Sequence, residues 1–205
     1  VYEKGWEKKH ATVLYEEMKK ISDYLLDNDF DMDEFFLSLY QEAFFKPKDE
    51  ADLQNWCGGN GVTLSCDPDG YLYPCLRYME SSLGDDQDPY VIGDVETGIC
   101  QNDCYKCRVE CLKKIDRKTQ STGECFACPI AEGCSWCTAY NYQVFGTPDK
   151  RATFICDMHK ARALANIYFW NSYYRKNGIE KHMDNHIPKD WALEIINQQE
   201  WDMLN

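Results

Sequence analysis

Seven cysteines constrain this chain more than any other feature: Cys57, Cys75, Cys125, Cys128, Cys134, Cys137 and Cys156. With Gly70 five residues before Cys75, their spacing reads C-x12-G-x4-C, a gap, C-x2-C-x5-C-x2-C, a second gap and a last Cys. Four of them form a short run and three stand alone, so they gather around inorganic centres only if the chain folds back on itself. The pattern calls for metal centres rather than a metal-free core.

The full count is twelve cysteines in 205 residues. Disulfides suit short secreted scaffolds whose cores are too small to hold by themselves. This chain does not need them, because its fourteen Tyr, nine Phe and six Trp can build a sizeable core at this length. Zinc accepts C-x2-C pairs as its usual half-sites. Iron–sulfur clusters accept the same thiolates, and C-x2-C followed at x5 and then by a distant Cys matches the split ligation of ferredoxin-type centres. Spacing favours iron–sulfur over zinc and leaves both open.

The neighbouring residues fit either centre. Gly58, Gly59 and Gly61 let the backbone approach a sulfur-ligated group closely. Val62–Cys66 and Tyr71–Tyr73 flank a Pro-Asp-Gly turn, which predicts a hairpin with Cys57 and Cys75 near each other at its open end. Cys66 lies nearer the turn. It is either a fourth ligand or a small buried apolar residue.

The order of the seven cysteines resembles the SPASM domain, as do the Asp67-Pro68-Asp69-Gly70 turn before Tyr-Leu-Tyr-Pro-Cys75 and the run Cys125-Phe-Ala-Cys128-Pro-Ile-Ala-Glu-Gly-Cys134. That domain carries the auxiliary clusters of radical S-adenosylmethionine enzymes that modify ribosomally made peptides or proteins. The stretches Pro74–Leu83, Gln120–Cys125 and Met158–Asn166 also resemble peptide maturases whose targets carry repeated Cys-x-x-x units. The likeness runs from about Trp56 to Trp170, and the run closes C-x2-C where the family shows C-x3-C. By position, the resemblance implies one [4Fe-4S] cluster on Cys57, Cys66, Cys75 and Cys137 and another on Cys125, Cys128, Cys134 and Cys156. It also implies an α+β fold, a small β-hairpin with surrounding helices and cysteine-rich loops that hold two iron–sulfur clusters. Residues 1–55 would be the end of a radical S-adenosylmethionine barrel and a bridge, 56–175 the auxiliary domain and 176–205 a helical tail. S-adenosylmethionine and a third [4Fe-4S] cluster would belong to the barrel, and the partner would be a precursor peptide undergoing thioether crosslinking. Beginning at Val1, the chain reads as a piece of such an enzyme, inactive by itself.

Cys100, Cys104, Cys107 and Cys111 remain. The first three spell C-x3-C-x2-C, the motif by which radical S-adenosylmethionine cores hold their catalytic cluster. Here no series of strand–helix repeats follows it, and Lys106 stands where the core motif carries an aromatic residue. Offsets of 0, 4, 7 and 11 instead mark one stripe of an α-helix. Along such a helix the outer two stand about 16 Å apart. The stripe is then either apolar-face cysteines packed on the core or, if not helical, a third metal site.

A net charge of −13 repels polyphosphate and argues against nucleic-acid binding. No apolar run is long enough for a membrane span, and thiolate clusters point to a cytoplasmic protein. Leu14, Met18, Ile21 and Leu25 predict a first amphipathic helix within 6–26. A second helix is expected from Met32 to Phe45, a third after Cys156 through Tyr174 and a last one from Pro188 through Ile196. His159 suits a satisfied structural role. Tyr140, Tyr142 and Phe145 suit either a peptide groove or a shield over a cluster. The rival function is a non-catalytic zinc module that binds a partner protein.

Overall fold

The computed structural model describes residues 6–32, 34–54, 57–100 and 102–205. In chain order its elements are α1 (Lys9–Asp27), β1 (Ser65–Cys66), β2 (Tyr71–Tyr73), α2 (Glu80–Leu83), β3 (Gly93–Asp94), β4 (Gly98–Ile99), α3 (Asp103–Lys113), α4 (Arg117–Gln120), α5 (Gly123–Phe126), α6 (Thr138–Phe145), α7 (Cys156–Asn177), α8 (Lys189–Ala192) and α9 (Gln198–Leu204). They form two compact units, one of residues 1–48, 127–134 and 153–205 and one of 49–126 and 135–152.

The first unit is helical. The stripe that α1 buries is Ala11, Tyr15, Met18, Ser22 and Leu25, displaced from the expected one, and Ile21 is left 38% exposed. It packs along α7, where Ala161, Ala163, Leu164, Ala165 and Ile167 are fully buried. Small alanines on α7 let the two helices approach closely enough for Tyr15 and Phe169 to be enclosed.

The helix expected over 32–45 is absent among the described residues there. Side chains of α7 take over the backbone bonds that a helix would have made. Asn166 accepts from the Gln41 amide at 2.7 Å and donates to the Leu39 carbonyl at 2.9 Å, and Arg162 donates to the Ser38 carbonyl at 2.7 Å. Phe45 then turns at φ 65° with its side chain fully buried. The last expected helix ends early: α8 stops at Ala192, and Ile195 and Ile196 beyond it dock into the core.

Phe45 and its neighbours carry the loop between Cys128 and Cys134. The Phe45 amide donates to the Glu132 carbonyl and the Glu132 amide to the Lys46 carbonyl, each at 3.0 Å. Next in the loop, Gly133 has φ 77°, and a Cβ there would stand 2.3 Å from the Phe44 ring and 2.7 Å from its Cβ. Gly133→Ala is therefore expected to cost about 2–4 kcal/mol, from an unfavourable backbone region plus overpacking. Chemical denaturation of the variant measures the loss, and an unchanged midpoint would contradict this packing.

The second unit holds a four-stranded antiparallel sheet in the order β1-β2-β3-β4, larger than the expected hairpin. The hairpin itself pairs Ser65 with Tyr73 and Cys66 with Leu72. Asp67 fixes its turn: one carboxylate oxygen accepts from the Asp69 and Tyr71 amides at 3.0 and 2.9 Å, and the other from the Tyr73 hydroxyl at 2.7 Å. The core behind the sheet is aromatic. Tyr78, Tyr90 and Tyr142 meet with ring centroids 5.0–5.9 Å apart, with Val109 and Leu112 of α3 beside them.

Candidate metal centre

The 3-10 turn at Gly58–Asn60, the end of the hairpin and the start of α6 bring Cys57, Cys75 and Cys137 together, all within the second unit. A Cβ on Gly59 would stand 3.3 Å from the Cys75 sulfur, 3.5 Å from the Cys57 sulfur and 3.3 Å from the Thr138 hydroxyl. Glycine at this point leaves a methyl-sized space between two sulfurs. The Thr138 hydroxyl lies 3.5 Å from the Cys57 sulfur, and the Tyr140 amide donates to the Cys137 sulfur at 3.4 Å. An N–H donor of this kind is what a sulfur bearing negative charge requires.

Electrostatics link the three. Burial pushes the Cys137 thiol above the ordinary range. The Tyr140 amide bond opposes this, the Cys57 and Cys75 sulfurs add to it, and Arg77 pulls it back down. Burial likewise raises Cys75, with Cys57 contributing and Arg77 opposing. Arg77 is therefore the positive charge that favours thiolates here.

Cys66 does not join them. It is exposed on the edge strand β1, and its thiol donates to the Asp67 carbonyl at 3.2 Å. Beside Cys57 an open groove of about 460 Å³ is lined by Leu53, Gln54, Val62, Ile115 and Asp116 among others. Trp56, where the resemblance begins, lies outside the described residues.

Of the second expected set, Cys128, Cys134 and Cys156 belong to the first unit and Cys125 to the second. All four are partly buried. Cys156 opens α7, and three residues on, the His159 ring N–H donates to the Ile130 carbonyl at 2.7 Å while packing on Phe45 at 5.3 Å. His159 thus fastens the Cys128–Cys134 loop to α7, the structural role expected of it. Among the described residues, no three His, Cys, Asp or Glu side chains converge tightly enough for a single metal ion.

The stripe from Cys100 to Cys111 is helical from Asp103 onward but is not the apolar face. Val109 and Leu112 are buried, whereas Cys104 and Cys107 are exposed and Cys111 is half-buried. Cys100 lies before the helix, with φ 64°, packed against the aromatic core. The aromatic series after Cys137 is also turned inward: Tyr140 and Tyr142 are buried and only Phe145 reaches solvent.

Two buried arginines escaped the sequence reading. Arg117 is 1% exposed. One terminal nitrogen donates to the Asp49 and Asp52 carbonyls at 2.7 and 3.3 Å, and the other to the Phe126 carbonyl, next to Cys125. Its guanidinium lies 4.3 Å from the centre of the Phe126 ring. Arg151 stacks over Trp136 at 3.4 Å and donates to the Ser135 carbonyl at 2.9 Å, between Cys134 and Cys137. The sequence signal was slight: a cation a few residues from a cysteine run.

Burial raises the Tyr78 pKa above the ordinary tyrosine range, with Cys57 adding to the shift. Tyr90 is raised chiefly by burial, then by Cys111. A raised folded value means that the stabilisation is present below the ordinary tyrosine pKa and is lost as pH rises through it. Tyrosinate absorbance from these rings should appear only together with unfolding, above about pH 10. A titration showing all tyrosines ionised in folded protein would contradict their burial.

Comparison with family models, with curated proteins and with solved structures returned no match for this chain.

Proposed function

We propose that this chain is the auxiliary-cluster part of a radical S-adenosylmethionine enzyme that modifies a ribosomally made precursor peptide, by thioether crosslinking at cysteine. Cys57, Cys75 and Cys137 hold one [4Fe-4S] cluster and leave its fourth position to a peptide thiolate. Cys125, Cys128, Cys134 and Cys156 hold the other. The reading is carried by the Cys57 and Cys75 sulfurs meeting around Gly59, with Cys137 electrostatically coupled to both, while Cys66 stands exposed with its thiol on the neighbouring carbonyl.

The donor set fits such a group. Soft thiolates suit iron–sulfur. When bound, such a cluster supplies one-electron transfer and an iron able to take a thiolate. The chain's own residues do the rest. Gly59 keeps the space clear, and Arg77 favours the thiolate forms of Cys75 and Cys137. The groove beside Cys57 gives a peptide side chain its approach. Hydrogen abstraction from the peptide belongs to a radical core outside these residues, so this chain alone leaves S-adenosylmethionine intact.

The test is the iron and acid-labile sulfide content of protein purified without oxygen, repeated for Cys66→Ala. About eight of each per chain, retained in the variant, is the expected result. Loss of about half in Cys66→Ala would make Cys66 a ligand and close the open position. Zinc without sulfide would replace the reading with a structural binding module.

A further inference from the structure

The helix α3 carries chemistry that neither expected cluster uses. Cys104 lies in its first turn and Cys107 one turn on, both exposed, on the side away from Val109 and Leu112. Exposed thiols are a liability that an ordinary surface helix avoids, and here two stand together as Cys-x-x-Cys. Cys111 differs from them: it is half-buried, and burial raises its pKa.

We propose that Cys104 and Cys107 form a redox-active dithiol that exchanges with the disulfides of cysteine-bearing peptides. Geometry selects this pair over Cys107 and Cys111. Side chains three apart on a helix have Cβ atoms about 5–6 Å apart, and a disulfide needs about 3.5–4.5 Å. The first turn can tighten to close that gap, since its N–H groups lack intrahelical partners. The Asn102 side chain, which accepts from the Tyr105 amide at 2.8 Å, holds the rest of the helix end in place. Cys111 sits where the helix is bonded on both sides and cannot approach Cys107 without breaking it.

In the exchange, the thiolate of one cysteine attacks a peptide disulfide, forming a mixed disulfide and releasing one peptide thiolate. The second cysteine attacks the mixed disulfide and releases the other. Two electrons pass from the dithiol to the peptide, and the protons lost by Cys104 and Cys107 offset those taken up by the released thiolates. A small thiol of the glutathione class restores the dithiol and is itself oxidised to its disulfide. The peptide as partner rests on the function proposed above, whereas the dithiol itself does not.

Trypsin cuts after Lys106, between the two cysteines, which makes the bond visible. The full chain is equilibrated without oxygen in graded ratios of reduced to oxidised glutathione, blocked by alkylation, digested and weighed. The expected result is that the fragments ending at Lys106 and beginning at Cys107 stay joined at oxidising ratios and separate at reducing ones. Cys111→Ser leaves this unchanged, and Cys104→Ser or Cys107→Ser traps a mixed disulfide with glutathione. An oxidised two-cysteine model peptide is then reduced by the wild-type chain and not by the double variant. Alkylation of both cysteines at every ratio, a Cys107–Cys111 bond, or protection of both thiols by bound iron or zinc would each overturn the proposal. Iron content is read separately, so a failed cluster assignment and a failed dithiol are told apart.

Discussion

Arg117→Met should lower the stability of the protein by on the order of 4 kcal/mol, a fall of about 10 °C in Tm. Three carbonyl groups, of Asp49, Asp52 and Phe126, converge on this one guanidinium. A carbonyl stripped of its donor loses about 1–3 kcal/mol; methionine supplies none, and the Asp49 carbonyl keeps the Asp52 amide at 3.1 Å. Arg117 is 1% exposed, so water does not replace the lost bonds. Its backbone amide also donates to Leu53 at 2.9 Å, a bond that the substitution leaves in place. Arg117→Lys should recover part of the loss, because one ammonium reaches fewer carbonyls than the planar fork. Thermal unfolding of the metal-free protein reads both variants, and equal Tm values for wild type and Arg117→Met would show that the convergence contributes nothing.

Gly59→Ala should remove about half of the bound iron, from about eight to about four per chain, and leave the fold intact. The backbone at Gly59 lies outside the left-handed region, so alanine is tolerated there by conformation. The added methyl would lie 3.3 to 3.5 Å from the sulfurs of Cys75 and Cys57, in the space that the proposed cluster would occupy. Stability without metal should change by less than about 1 kcal/mol. Full iron content in a folded Gly59→Ala protein would sink the assignment of Cys57, Cys75 and Cys137 to one cluster.

The sequence and the structure agree where short-range chemistry decides. The Asp67–Gly70 turn, the hairpin that it closes, and the helix from Cys156 onward all carry their own signals: a Pro-Asp-Gly turn, the two short runs that flank it, and apolar residues along one helix face. The approach of Cys57 to Cys75 follows from the hairpin joining them. Cys137 comes from more than sixty residues away, and spacing placed it only through a resemblance. Residues 34–45 misled because their apolar spacing is helical while their backbone partners, Asn166 and Arg162, lie over a hundred residues downstream. Periodicity also gave the right helix at α3 and the wrong face, since cysteine counts as apolar in a pattern and yet Val109 and Leu112 bury more surface.

A thiol-rich α+β chain with a fixed turn ahead of Cys75, two long helices and a net charge of −13 could be read from the residues without any structure. Each follows from neighbours a few residues apart, or from simple counting. Tertiary structure alone decided that Cys66 faces solvent, that Cys104 and Cys107 lie open on α3 and that Arg117 is enclosed by carbonyls. Burial and hydrogen-bond partners of this kind depend on segments far apart in the chain, and no local pattern encodes them.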